Sequence, residues 1–369
     1  MVSRVQELLG RLSALDPEAT VGLRVIACFD ELVIGNVNTR GLLSAAASLA
    51  GCNAGFRQDV PHRSLRVTPR GELLRESGAG PSPEPGPASA KLDGITVWIE
   101  RTGPAHANDD IILERLALAV RIRHGSGRRD LENRRELGLL LDGTVPAEDR
   151  RTAACRIHLT PGRAYRVVAA PLFAVWDEHP SGPEDVVATP HGLIHALVLP
   201  AEHESVSARP AGIGVATELE QLHRSFVTAV VALRLCDQPG TTSVLADTYG
   251  GLVGLLADMP TDADLPDVDT LGSVMAHAWG PATVDALVRA GSVRHASRIA
   301  GVHHSTLQAR LDAIGEAMGF EPFDDGIGRS RLGIAYLVWR LRNSRVLDLP
   351  APAASGASEA DRDRSAERS

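Results

Sequence analysis

Between Gly291 and Leu311 the chain concentrates side chains that neutralise phosphate charge or read hydrogen-bonding edges. Arg294, Arg298 and Arg310 carry guanidinium forks, which match phosphate oxygens in geometry and charge. His303, His304, Ser305 and Thr306 follow as a run of short donors and acceptors, with Gln308 and Ala309 just after them. A glutamine carboxamide pairs with both N6 and N7 of an adenine, and a small residue such as Ala309 lets a helix approach a groove floor. Ser305 has two roles open to it. It can be a helix N-cap, since Ser305-x-x-Gln308 fits a capping box, or a first-turn residue donating to a phosphate. His304 is expected to make contact, and His303 to stabilise the turn as well. From Asp285 to Arg345 nine arginines stand against six acids, a local balance of +3 in a chain of net charge −8. Duplex binding by this segment is the chemistry these residues suit.

Two short helices are needed to hold them. Val293, Ala296, Ile299 and Ala300 recur at helical spacing and give the first helix one apolar face. Gly301 can take the left-handed conformation that ends a helix, and Val302 can turn back toward a core. Leu307, Leu311, Ile314 and Met318 then mark the seam of a second helix, expected over about His304 to Ile314. Ala296 and Ser297 are small enough for a close crossing. A helix-turn-helix has this layout, and its second helix enters the major groove.

Val284 to Leu341 also resembles the C-terminal helix-turn-helix of PucR/CdaR-type bacterial transcription regulators. That family carries H-x-x-T-L-x-x-R-L, here His303, Thr306, Leu307, Arg310 and Leu311. A helix ended by glycine follows, here at Gly319, then an acidic turn (Glu321 to Asp325) and a last apolar helix (Leu332 to Leu341). Ser305 stands where the family often has Asn, and Gln308-Ala309 where it often has Arg-Tyr. The resemblance thus implies the fold more firmly than the base preference.

Other chemistry is poorly served. His191 and His195 have a helical metal-ligand spacing, but Leu193, Leu197 and Leu199 alternate with them as in a strand, so a satisfied strand pair is expected and no metal is assigned. Gly125-Ser126-Gly127 lacks a preceding strand and reads as a hinge. There is no G-x-S-x-G elbow and no C-x-x-C pair; Cys28, Cys52, Cys155 and Cys236 are scattered and read as small buried residues. No catalytic residue and no cofactor is assigned. Arginine outnumbers lysine so heavily (Lys91 is the one lysine) that a solitary arginine carries little weight.

The 369 residues suffice for two or three domains, and 44% hydrophobic with 23% charged residues describes a globular chain. No run approaches a membrane span, no signal peptide opens the chain, and a cytoplasmic location is expected. Met1 to Leu15 reads as an amphipathic helix. The overall expectation is α+β with three domains. Residues 1–124 would be a GAF-like sensor, with a strand at Val21 to Phe29, a helix at Leu42 to Leu49, a strand at Ile95 to Glu100 and a helix from Asp109-Asp110. Ala50-Gly51 and Val97-Trp98-Ile99-Glu100-Arg101 are similar to signatures in an actinobacterial branch of the family. Ser77 to Ala90 is expected as a loop. Residues 125–265 would hold a connecting helix and a degenerate GGDEF-like α/β domain. Its strands are expected at Arg166 to Phe173, His191 to Leu199 and Ala211 to Val215, and its helices at Leu219 to Cys236 and Leu252 to Ala257. The family's glycine-rich pattern is partly visible in Gly212-Ile213-Gly214 and Ser225, Thr228 and Ala229, but no G-G-D-E-F signature appears, so cyclase chemistry is not expected. Residues 266–349 would be the all-α DNA-binding domain, entered through an Asp-rich linker with Asp269 as N-cap, and 350–369 a disordered tail. The function this implies is a dimeric, non-enzymatic regulator reading double-stranded operator DNA, with room for a small-molecule effector. The alternative is an interaction protein whose helix-turn-helix scaffold docks another protein without touching DNA.

Overall fold

A computed structural model describes residues 17–348, apart from 36, 60–61, 75–87, 93, 126–135, 237–239 and 324. The expected N-terminal helix at Met1 to Leu15, most of the 77–90 loop, the centre of the connecting segment with Ser126-Gly127, and the 350–369 tail lie outside the described residues. Two compact units divide the chain, one of residues 1–248 with 346–369 and one of residues 249–345. The fold class is mixed α+β.

In the first unit α1 (Pro17–Ile34) and α2 (Thr39–Ala50) precede a sheet of β1 (Ala54–Gln58), β2 (Arg63–Val67), β3 (Ser89–Leu92) and β4 (Ile95–Ile99), and α3 (Asp109–Gly125) follows. The sheet order is β2-β1-β4-β3, antiparallel throughout. The expected strand at Val21 to Phe29 is instead the middle of α1. Val25, Cys28, Phe29 and Leu32 are the buried positions, a helical and not an alternating set. Asn38 caps α2 by accepting from Gly41 N, and Gly51 ends it at φ 68°. Ala45, Ala46 and Ala47 are fully buried, so α2 seats closely beside α3. The Val97–Arg101 run has a structural explanation. The Trp98 ring occupies the space beside Gly55, where a Cβ would come within 2.1 Å of it. Glu100 accepts from Arg66 Nε at 2.6 Å, and Arg101 pairs with Asp109 in the first turn of α3.

After α4 (Glu136–Leu141) and α5 (Ala147–Arg156) comes a second sheet: β5 (Tyr165–Ala170), β7 (Glu184–Thr189), β8 (Gly192–Pro200), β10 (Ala211–Ile213) and β11 (Ser243–Leu245). Its order is β11-β10-β5-β8-β7, with β6 (Val175–Trp176) and β9 (Ala208–Arg209) forming a separate small ribbon. The helix α6 (Leu222–Arg234) packs on β5 and β10. Here the glycine pattern gains its physical meaning. A Cβ on Gly212 would stand 2.2 Å from Ala229 O, and one on Gly214 2.0 Å from Ser225 O, so strand and helix backbones touch. Ser225 Oγ accepts from Val167 N at 2.8 Å and Thr228 Oγ1 from Val215 N at 3.1 Å. Those residues fasten α6 to the sheet.

The second unit is helical: α7 (Gly251–Asp258), α8 (Pro266–Met275), α9 (Gly280–Arg289), α10 (Val293–Ile299), α11 (His304–Met318) and α12 (Gly326–Arg342). Leu271, Val284, Ala296, Leu307, Ile314 and Ala335 form its buried centre. Asp269 is not an N-cap. Pro266 starts α8 four residues upstream of the expected Thr270, because its fixed φ suits the first helical position. Asp269 then lies in the first turn and pairs with Arg342 at 3.4 Å. Among the described residues no helix is long and apolar enough to cross a membrane.

Candidate nucleic-acid interface

Ser292 opens α10, its hydroxyl accepting from His295 N at 3.2 Å. Ala296 and Ser297 are buried in the crossing with α11. The helix stops at Ala300, and Gly301 turns the chain at φ 65°. His303 is the N-cap of α11. Its Nδ1 accepts from Ser305 N at 3.4 Å and lies 2.8 Å from Ser305 Oγ. Ser305 therefore lies in the first turn, and the capping box that would make it the N-cap does not form. Gln308 points down the helix instead and donates to Asp312 Oδ1 at 2.9 Å.

Leu307, Leu311, Ile314 and Met318 face inward, and Gly319 ends α11 at φ 70°. The helix thus runs one turn beyond the expected Ile314. His303, His304, Ser305, Thr306, Gln308 and Ala309 are exposed on its first two turns, while Asp312 and Glu316 occupy the exposed surface further along. Arg294 and Arg298 are exposed on α10, and neither guanidinium has a partner among the described residues.

The other arginines are engaged. Arg310 turns back toward α9, lying 5.6 Å from the Trp279 ring centroid and donating to the buried Thr283 Oγ1 at 3.0 Å. Arg289 pairs with Asp285, Arg331 with Asp267, and Arg329 lies 4.4 Å from the Phe323 ring centroid while donating to Gly291 O. A count of nine arginines therefore overstates the free positive charge of this region.

In the first unit, His191 does not pair with His195. It precedes β8 and accepts from Arg234 Nη1 at 2.8 Å; burial and then the Arg234 charge hold its pKa below the ordinary histidine range. His195 lies buried on β8 against Glu184 of β7, with His179 close by. Neither His179 nor Glu184 was flagged by the sequence. The Glu184–Leu197 register puts Glu184 and His195 on one face of the hairpin, and only recognition of β7 would have exposed that. Of the cysteines, Cys28 is fully buried, which pushes its thiol up to about 12, whereas Cys155 is exposed, contrary to expectation. A cavity of about 560 Å³ lies in the same unit, bordered by Arg40, Ser44, Leu73, Asp142, Asp185 and Phe226.

No family model matches the chain, and no curated protein matches it. Among solved structures it is similar to a regulator of polyketide synthase expression from Bifidobacterium adolescentis. The identity is 15%, over 60% of this chain and 98% of that one, with a TM-score of 0.24. A superposition that loose establishes no common arrangement of the two chains.

Proposed function

We propose that the chain is a transcription regulator of PucR/CdaR type that binds double-stranded DNA through α10 and α11 acting as a helix-turn-helix. One observation carries the reading. The N-terminal half of α11 exposes His304, Ser305, Gln308 and Ala309, and α10 supplies the unpaired Arg294 and Arg298 beside it. Recognition helices use their N-terminal residues on base edges, while arginines on neighbouring elements hold the phosphates. Asp312 and Glu316 keep the far half of α11 away from the duplex. Arg310 serves the domain's interior and holds α11 against α9. His303 sets the start of α11, and Ser305 and Thr306 offer hydroxyls to the backbone. The protein acts as a homodimer, since one helix reads too few base pairs to select an operator. It has no catalytic role and works in the cytoplasm. The cavity beside Arg40 and Asp185 has the size of a small-molecule site and is where an effector would bind.

The test is fluorescence anisotropy of the full chain on duplexes from its own genome, between about 50 and 200 mM salt. Binding whose logarithm falls linearly with log salt, and which selects a two-half-site sequence from a random pool, is the expected result. No duplex binding at the lowest salt would replace this reading with that of a protein-docking scaffold.

A further inference from the structure

The first unit holds a compact group of donors that the DNA-binding reading does not use. Glu184 opens β7, His195 lies on β8, His179 is in the segment that follows β6, and Glu31 is on α1. His195 Nε2 is 2.6 Å from Glu184 Oε2, His179 Nε2 is 3.2 Å from the same oxygen, and His179 Nε2 is 3.9 Å from Glu31 Oε2. The His179, Glu184 and His195 donor atoms all lie within 4.8 Å of one another. Their side chains are 9%, 3% and 3% exposed, and that of Glu31 is 22% exposed, leaving an approach from solvent on its side.

A second observation points to a ligand. His179 Nε2 and Glu31 Oε2 are buried and neither makes a well-directed hydrogen bond, the 3.2 Å approach of Nε2 to Glu184 being poorly aligned. The His179 tautomer is fixed from behind, because Nδ1 lies 3.2 Å from Pro180 O and a carbonyl can only accept. In the neutral ring Nε2 then faces the Glu184 carboxylate with a lone pair, so the contact calls for positive charge there, either a second proton on the ring or a metal ion between the two. A backbone carbonyl on the remote nitrogen is also how metal-bound histidines are held. The surroundings fit such a site. Trp176 lies 4.7 Å from the His179 ring and 5.6 Å from the His195 ring, centroid to centroid. Gly35, just past α1, leaves the room that the Glu184 carboxylate fills; a Cβ there would come within 2.1 Å of it.

We propose that His179, Glu184 and His195, with Glu31 as fourth donor, form a binding site for one divalent first-row transition metal ion, zinc being the best match. Two imidazole nitrogens and two carboxylate oxygens suit a borderline cation, and the two carboxylates cancel its charge in a buried setting. Donors in a tetrahedral zinc shell stand roughly 3.3 Å apart. Reaching that spacing opens the His195–Glu184 pair from 2.6 Å, closes the His179–Glu31 pair from 3.9 Å and draws in donors as far as 4.8 Å apart, so side-chain shifts on the order of 1 Å would assemble it. An ion there joins α1 to the β7–β8 hairpin. The site stands whether or not the chain binds DNA.

The full chain, stripped with a chelator and desalted, is titrated with Zn²⁺ and separately with Co²⁺. One equivalent of Zn²⁺ should survive gel filtration and raise the melting temperature, and Co²⁺ should give the strong visible bands of a tetrahedral nitrogen–oxygen site. His179→Asn, in an irregular segment, should keep the wild-type circular dichroism yet bind Zn²⁺ at least about 10-fold more weakly. The exposed control His203→Ala should bind as wild type. Glu31→Gln, on the solvent side, is a second check and should weaken binding in the same sense. Wild-type protein that retains no Zn²⁺, or His179→Asn and Glu31→Gln both binding with unchanged affinity, would overturn the assignment.

Discussion

Replacing Arg310 by alanine should cost the second unit stability and spare its contacts with DNA. Arg310 Nη1 donates to Thr283 Oγ1 at 3.0 Å, and Thr283 is fully buried, so the substitution takes away the partner of a buried hydroxyl. Losing that bond and leaving its partner unmet costs about 1–2 kcal/mol. The guanidinium also lies 5.6 Å from the Trp279 centroid, worth about 0.5–1 kcal/mol at a half-buried site. The sum is about 2 kcal/mol. Urea denaturation of the full chain, followed by tryptophan fluorescence, should show a lower midpoint for the transition that involves Trp279. Arg310→Lys should recover only part of the loss, since an ammonium has no planar fork to lay on the indole. Arg294→Ala, on an exposed residue, should change stability by no more than about 0.5 kcal/mol. An Arg310→Ala protein of wild-type stability, whose log-salt slope on DNA drops as an Arg294 variant's should, would refute the assignment of Arg310 to the interior.

Arg294→Ala and Arg298→Ala should each lower the log-salt slope of duplex binding by about 0.9 and weaken all sequences alike; a changed preferred sequence in a randomised selection would contradict a backbone role. Gln308→Ala should relax the preference at one base pair by about 1–3 kcal/mol, because its bond to Asp312 is exposed and worth only about 0.2–0.5 kcal/mol to release; unchanged selectivity in the same selection would count against base reading. Glu100 should make the first unit acid-sensitive. Its hydrogen bonds from Arg66, then Asn53 and Trp98, outweigh burial and hold its pKa at about 2 against an ordinary 4.5. A depressed carboxylate stabilises above the unfolded value, so the contribution is complete above about pH 4.5 and is lost as pH falls toward 2, about 1–2 kcal/mol after allowance for solvent screening. A difference in stability between wild type and Glu100→Gln that stays flat across that window would show the reasoning wrong. Gly214→Ala should destabilise by about 1–3 kcal/mol or more, since its Cβ would stand 2.0 Å from Ser225 O and neither backbone can yield cheaply; an unaltered melting curve would be inconsistent with that close approach.

Elements written in local periodicity were legible in the sequence. α2, α3, β4, β5, β8 and the run from α10 to α12 carry apolar spacing over a turn or more, and Gly51, Gly301 and Gly319 mark helix ends through their positive φ. α1 was misread because Val21, Leu23, Val25 and Phe29 also satisfy an alternating pattern, and only the longer run to Leu32 separates the two periods. The inward turn of Arg310 was hidden because its partners, Trp279 and Thr283, lie some thirty residues upstream, on or beside another helix. For the His179–Glu184–His195 group the difficulty was register. Glu184 and Asp185 give β7 a polar start, and without that strand nothing brings Glu184 beside His195. Contacts made by long-range pairing leave no periodic trace.

The position of Asp185 bears on how the protein behaves at high concentration. β7 is an outer strand of its sheet, and an outer strand offers free amides to any extended chain that drifts past. Asp185 Oδ1 accepts the amide of Val186 at 2.8 Å, while its other oxygen takes the Asn38 carboxamide from the start of α2, which itself lies against the strand. A charged side chain and a helix end thus occupy the place where a foreign strand would add. Asn38 has a double task, because its carbonyl oxygen also caps α2. Loosening this one residue would fray the helix and uncover the strand together, turning a small loss of stability into a gain in self-association.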